Sequence, residues 1–329
     1  MENRDIWIIE ECRNPSTDYY ILPFLELSGY KNRIRILNSP PEEIIEGNLT
    51  LLFVRYVTID WFQFVRKNFK KIKKLIYFMD DDLFDLSAWK GLPLRYVKKI
   101  FFNAYIWKKW LKSIGAVFFV SNNYLAQKYF YLDPVVLPPY PIFDIKYQNS
   151  FNDSRSLIIF YHGTASHKKE IYWLYDVAKK VIANTQKDIV FEFVGDDRIY
   201  KKFKPLEKVK VVHPMKWPVY KDFLLYRKRY IGLIPFIDAN FNLARNYTKF
   251  FEIVASGAVG IYSQGSPYER LISHEKDGII LPNKKEIWVE NIERLLNDEF
   301  FMLYLYRNSV TKLNSLKEIT ERIYKTITI

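Results

Sequence analysis

Lys249 and Glu252 stand three residues apart in the run Asn246-Tyr247-Thr248-Lys249-Phe250-Phe251-Glu252. That spacing puts both side chains on one face of a helix. Asn246 can cap such a helix, and Gly257 can end it, because glycine takes positive φ at no steric cost. A helix start carries unpaired N–H groups and the positive end of the dipole, so it favours anions. A lysine there suits a diphosphate. A carboxylate one turn on can accept from two ribose hydroxyls. The same pair on any surface helix would be a solvated ion pair, so the surrounding chain must decide.

Four other stretches carry groups able to do chemistry. In the run from His162 to Lys169, Gly163 allows close backbone approach, Thr164 and Ser166 can donate to phosphate or cap the next helix, and Lys168 and Lys169 add positive charge at that helix start. His162 and His167 are five apart and have no Cys or His cluster to complete a zinc site, so no metal is expected there. His213-Pro214-Met215 forms a turn near Trp217 and Tyr220, either of which can stack on a base or fill a core. Gly265-Ser266 makes a turn that either touches sugar hydroxyls or is simply a turn. Asp80, Asp81 and Asp82, with Asp85 nearby, put adjacent like charges together, so at least one must be exposed, paired or raised in pKa. One of them can act as a base toward a hydroxyl or face positive charge on a sugar. The plainer reading is a solvated strand end.

These groups need elements to hold them. Short apolar runs of strand length at Ile6–Glu10, Arg33–Leu37, Leu51–Arg55, Lys74–Met79, Ala116–Val120 and Val135–Leu137 alternate with helix-like stretches at 18–28, 59–68, 94–113 and 124–130. Pro138, Pro139 and Pro141, followed by a polar run over 148–156, mark a hinge. A second alternation then begins, with strands at 157–161, 189–194, 209–212, 231–235, 258–262 and 279–281. Its helices lie at 169–184, 219–229, 285–297 and over the last ~20 residues. The pattern predicts an α/β chain with two Rossmann-like, doubly wound domains facing a central cleft. We expect domains at 1–145 and 150–308, with a C-terminal helix at 309–329 crossing back to the first. Each chemical group above falls just after a predicted strand, where ligands of such folds bind.

The chain has 329 residues, 49% hydrophobic and 18% aromatic, enough for two cores. Its one cysteine, Cys12, excludes an intramolecular disulfide framework and fits a reducing compartment. No signal-peptide pattern is evident, and no apolar run approaches the ~20 residues that span a bilayer. A net charge of +13 favours anionic partners in general. The basic run Arg66 to Lys74 and the mixed basic and aromatic stretch Arg95 to Lys112 can lie on anionic lipid headgroups, or be an ordinary half-buried helix with a solvated face.

The segment 241–263, with its Lys-x-x-Glu, small-residue turn and strand, resembles the nucleotide-sugar motif of GT-B glycosyltransferases of the group 1, family-4-like class. The resemblance covers nearly all of the second half and is looser in the first. It implies that Lys249 contacts phosphate, that Glu252 holds the ribose, that the His162–Lys168 loop faces the donor phosphates, and that His213, Pro214 and Met215 line the base pocket. Many relatives carry a further glutamate eight residues before the ribose glutamate. Here that position is Ala244, with Arg245 and Asn246 as the neighbouring polar groups.

The resemblance further implies transfer of a sugar from a nucleotide donor to a hydroxyl of a glycan or lipid-linked acceptor. That chemistry needs no metal and no cofactor beyond the nucleotide-sugar co-substrate. The setting would be bacterial surface polysaccharide assembly, in the cytoplasm or peripherally on the inner membrane face. Competing readings are a nucleotide-sugar epimerase of this fold, a catalytically dead partner subunit, and a basic nucleic-acid-binding protein. The last lacks an evident basic-aromatic nucleic-acid motif, so no nucleic-acid partner is expected.

Overall fold

The computed structural model describes residues 5–42, 48–145, 156–163, 168–237 and 240–328. By its contacts the chain divides into two compact units. The first is Met1–Tyr140 with Ala239–Asn246 and Glu318–Ile329, and the second is Pro141–Asp238 with Tyr247–Lys317.

The first unit holds six parallel strands: β1 (Asp5–Ile9), β2 (Ile34–Leu37), β3 (Leu49–Val54), β4 (Ile72–Met79), β5 (Val117–Val120) and β6 (Val135–Val136). Their order is β2-β1-β3-β4-β5-β6. Every residue of β3 is buried, as befits a parallel strand covered on both faces. The helices are α1 (Leu22–Leu27), α2 (Ile59–Asn68), α3 (Leu94–Asn103), α4 (Lys108–Ser113) and α5 (Asn123–Lys128). Trp61 of α2 packs edge-on to Phe53 of β3 at 6.0 Å and to Phe64 at 5.4 Å, fixing that helix against the sheet. Strand order reverses between β1 and β3, so their carboxyl ends, at Glu10 and Arg55, mark the switch point of this sheet.

Two helical expectations need correction here. The stretch 94–113 is broken into α3 and α4, because Val57 N–H donates to the Asn103 carbonyl at 2.7 Å and Trp107 Nε1 to the Phe102 carbonyl at 2.9 Å. Those acceptors are therefore lost to a continuing helix. The stretch 18–28 opens with a π-turn, Thr17–Ile21, before α1. π-turns are rare and concentrate at functional sites.

The second unit holds β7 (Leu157–Tyr161), β8 (Ile189–Val194), β9 (Val209–Val212), β10 (Ile231–Ile234), β11 (Val259–Ser263) and β12 (Ile279–Leu281), all parallel in the order β12-β11-β10-β7-β8-β9. This is the doubly wound order of dinucleotide-binding sheets, with its switch point between β7 and β10. The helices are α6 (Lys168–Asn184), α7 (Asp197–Phe203), α8 (Trp217–Tyr226), α9 (Thr248–Ala255), α10 (Lys285–Asn297) and α11 (Glu299–Thr326).

Helix α9 is the element that carries Lys249 and Glu252, and the sequence seats it tightly. A Cβ on Gly232 of β10 would lie 2.6 Å from Ile253, so glycine there lets the helix rest on the strand. Gly257 adopts φ +85° and ends α9, while Ala258 N–H reaches back to the Ile253 carbonyl at 3.1 Å and turns the chain into β11. The expected cap is corrected. α9 starts at Thr248, so the N-cap position falls on Tyr247, which makes no side-chain cap, and Asn246 one residue earlier donates through Nδ2 to the Ser121 carbonyl at 2.6 Å.

Candidate functional site

At the switch point of the second sheet, β7 delivers His162 as the first residue past its carboxyl end. The imidazole is buried, with both ring nitrogens engaged. Nδ1 lies 3.1 Å from the Tyr220 hydroxyl of α8, and Nε2 lies 3.2 Å from Oε1 of Glu192 on β8. Tyr220 donates to Glu252 Oε2 at 2.8 Å, and Lys249 Nζ reaches that same oxygen at 2.5 Å. Lys249 also lies 5.2 Å from the centroid of the Tyr220 ring, within cation–π range. One hydrogen-bonded chain therefore runs from the start of α9, through α8, to the end of β7 and on to β8.

Glu192 is wholly buried, and its charge is matched by arginine. Arg229 Nε donates to it at 2.8 Å, and Arg227 also binds it. Arg229 is itself wholly buried and gives a further hydrogen to the Leu224 carbonyl at 2.7 Å. Burial works against the Glu192 charge, but His162, Arg229 and Arg227 outweigh it and hold the carboxyl below its ordinary range. Burial pushes the His162 pKa down to about 4; the bond to Glu192 opposes this and the Arg229 charge reinforces it. The imidazole is therefore neutral near pH 7. Burial and the adjacent Glu252 charge raise the Tyr220 hydroxyl well above its ordinary value, so it keeps its proton.

The remaining donor-side residues fall as follows. Gly163 is buried beside His162. Thr164, Ser166 and His167 lie outside the described residues. Lys168 opens α6 and pairs at 3.0 Å with Asp196, which caps α7 at the end of β8 and is held below the usual carboxylate pKa by that lysine. His213 and Pro214 follow β9 and are exposed, with Met215 half-buried. Gly265 takes φ +76° and its N–H is accepted by Glu269, while the Ser266 hydroxyl donates to the Ser263 carbonyl at 2.6 Å. Arg245 and Asn246 group with the first unit. Ala244 sits wholly buried in that unit's apolar core, and its carbonyl accepts from Asn122 at 2.6 Å. A carboxylate at position 244 would have to enter this apolar cluster.

In the first unit the three aspartates part company at the end of β4. Asp82 is wholly buried and accepts from Lys128 at 2.6 Å and from Tyr129. Lys128 also pairs with Asp85 at 2.5 Å and holds that carboxyl at about 2. Asp80 accepts from Ser16 at 2.6 Å and lies 3.4 Å from Arg55, which also binds Asp81. Burial raises the Asp80 pKa; Arg55 opposes the shift and Asp81 adds to it. Arg55 stands at the switch point with φ +69°, a strained value for a side chain of this size, and donates to the Tyr96 hydroxyl at 2.8 Å. Beside it, buried Glu10 accepts from Asn14 at 2.9 Å and from Thr17. Among the described residues, no three His, Cys, Asp or Glu are grouped to hold a metal ion.

Glu192, Arg227, Arg229, Arg55 and Glu10 were not foreseen as site residues. A signal for two of them is present. Glu192 interrupts the apolar run of β8, and Arg55 directly follows the six buried residues of β3.

No family model and no curated protein matches the chain. Solved structures do. The chain is similar to Anabaena HepE in complex with UDP-glucose, with a TM-score of 0.64 at 10% identity over 98% of this chain and 100% of that one. It is also similar to the pneumococcal O-GlcNAc transferase GtfA in complex with UDP and GlcNAc (TM-score 0.56, 13% identity), covering 84% of this chain and 57% of that one. Similarity to S. aureus TarM has a TM-score of 0.53 at 12% identity, covering 85% of this chain and 56% of that one. At such identities the likeness is one of fold, and the fold is that of GT-B glycosyltransferases.

Proposed function

We propose that this GT-B chain is a glycosyltransferase that moves a sugar from a nucleotide donor to an acceptor hydroxyl. The observation that carries the proposal is the chain Lys249–Glu252–Tyr220–His162, which ties a lysine and a buried carboxylate at the start of α9 to the switch point of a dinucleotide-type sheet. A diphosphate at this helix start meets the Lys249 ammonium as well as the positive end of the helix dipole. Charge grows on the leaving phosphate as the glycosidic bond breaks, so a cation placed there lowers the barrier. Glu252 accepts from the ribose. His162 is buried with both nitrogens engaged, so we assign it to holding Tyr220. HepE and GtfA in complexes with UDP or a UDP-sugar support a nucleotide-linked donor.

On the acceptor side we assign Asp80. Its carboxyl is raised by burial and is 18% exposed, whereas Asp82 is committed to Lys128 and Tyr129. A base raised toward neutrality is the better proton acceptor from a hydroxyl. The product would enter glycan assembly.

The test is a thermal-shift panel of UDP-, GDP-, dTDP-, ADP- and CMP-sugars, because a ligand that binds only the native state raises the melting temperature. One nucleotide class should give a clear shift. Lys249→Ala should abolish it, and Asp80→Asn should keep the shift while losing transfer by about 100-fold or more. A shift that survives Lys249→Ala unchanged removes Lys249 from this role.

A further inference from the structure

Tyr220 has one proton and two acceptors for it. Glu252 Oε2 lies 2.8 Å from the hydroxyl and His162 Nδ1 lies 3.1 Å from it, on the other side. What His162 can do is set from behind. Glu192 is clamped by Arg229 and Arg227 and acts only as an acceptor, so the single N–H of a neutral imidazole belongs on Nε2, facing Glu192 at 3.2 Å. Three cations, Arg227, Arg229 and Lys249, lie within this network and count against a second proton on the ring. Nδ1 is then an acceptor. The three contacts Glu252–Tyr220, Tyr220–His162 and His162–Glu192 call for three hydrogens, and tyrosine with neutral histidine brings two.

A ribose hydroxyl is a donor, and Glu252 is where one would arrive. We infer that Tyr220 is the positioning residue of the ribose site: it holds the Glu252 carboxylate in place, and it turns its proton to His162 when a ribose hydroxyl donates to Glu252. This rests on the reading of Glu252 as the ribose ligand. Its consequence is specific. The network completed by ribose hydroxyls discriminates ribose from a sugar lacking them.

Calorimetric titration with UDP, GDP and ADP, each beside its 2′,3′-dideoxy counterpart, measures the discrimination directly. In the unmodified protein the preferred diphosphate should bind about 10-fold or more tightly than its dideoxy partner, since the hydrogen bond is to a charged group. Tyr220→Phe should cut that ratio to about 3-fold or less with its melting temperature recorded alongside. Lys249→Ala removes the phosphate contact together with one bond to Glu252 Oε2, and it should weaken both members of the pair. Nitrogen NMR of His162 in the unmodified protein, which needs no variant to fold, should show the neutral Nε2–H tautomer with Nδ1 accepting more strongly once the diphosphate is bound. A ratio kept in Tyr220→Phe, or an imidazolium at neutral pH, overturns the role of Tyr220 while diphosphate binding by the unmodified protein stands. If none of the three diphosphates binds the unmodified protein, the ribose reading fails and this inference falls with it.

Discussion

Glu192 lies at the centre of a β-strand with none of its surface in water, and three side chains answer it. Removing one partner of such a pair strands a buried charge, which is why buried ion pairs are costly to break even where they add little net stability. The neighbouring histidine gives this network a pH signature. The folded His162 titrates at about 4, below its ordinary 6.5, so between those values the unfolded chain binds more protons. Stability should therefore rise with pH across that window and fall on acidification, by up to about 3 kcal/mol for this group. Denaturant melts at several pH values should show this slope, and His162→Gln should flatten it between pH 6.5 and 4. An unchanged slope in the variant would deny His162 its neutral buried state. At this scale the Lys249–Glu252 pair was legible, because helical spacing within one short segment suffices to bring the two together. Tyr220 was weighed only as a ring that stacks on a base or fills a core, and Arg229 was not weighed as a site residue. Their partners lie 32 and 37 positions away, at distances that only the sheet order closes.

Helices α3 and α4 carry a surface whose composition was visible and whose geometry was not. The sequence reads as one long helix. The break at Ala104 coincides with a bond from a distant donor, Val57 N–H, to the Asn103 carbonyl, which no local pattern announces. What results is an exposed row on α3, Leu94, Lys98 and Phe102, each four residues from the next, with Leu94 80% and Phe102 59% exposed, and Ile106 exposed past the break. Lys108 and Lys112 lie 5.2 and 5.6 Å from the Tyr131 ring, and Phe130 beside it is 76% exposed. No helix among the described residues is long and apolar enough to cross a membrane. We propose that this face rests on anionic lipid, with apolar tips entering the headgroup layer and lysines meeting its charge. Vesicles of phosphatidylcholine with about one third phosphatidylglycerol should sediment the protein, the salt dependence reporting the lysines. The double substitution Phe102→Glu, Ile106→Glu should reduce binding by about 10-fold or more. Equal binding by the variant, or none by the unmodified protein, refutes the assignment. Position 246 teaches the complementary lesson. An asparagine before a helix looks like a cap, but the helix starts one residue too late, which puts Tyr247 at the N-cap, and the Asn246 amide donates to the Ser121 carbonyl.

Two α/β units with parallel sheets follow from alternating apolar runs and helical periods, and most of the alternation was legible because each run is short and local, whereas α7, only seven residues long, was not foreseen. Which unit owns which segment is decided by long returns of the chain. Residues 239–246 and the end of α11 group with the first unit. There Tyr324 is wholly buried, donates to the Pro138 carbonyl at 2.6 Å and meets the Phe24 ring edge-on at 5.4 Å. Tyr324→Ala should destabilise the first unit by about 3–5 kcal/mol, as for other buried aromatic truncations. Calorimetry should show that transition falling by several degrees, and an unmoved melting profile would mean this helix end is not part of the unit's core. The account as a whole stands on a nucleotide diphosphate seated at the start of α9. The direct measurement is a crystal structure grown with whichever nucleotide sugar gives the largest thermal shift. The account predicts the diphosphate at Lys249 Nζ and the α9 backbone, with ribose hydroxyls on Glu252. Nucleotide density away from α9, with the Lys249–Glu252 and Tyr220–Glu252 contacts unchanged, would contradict it.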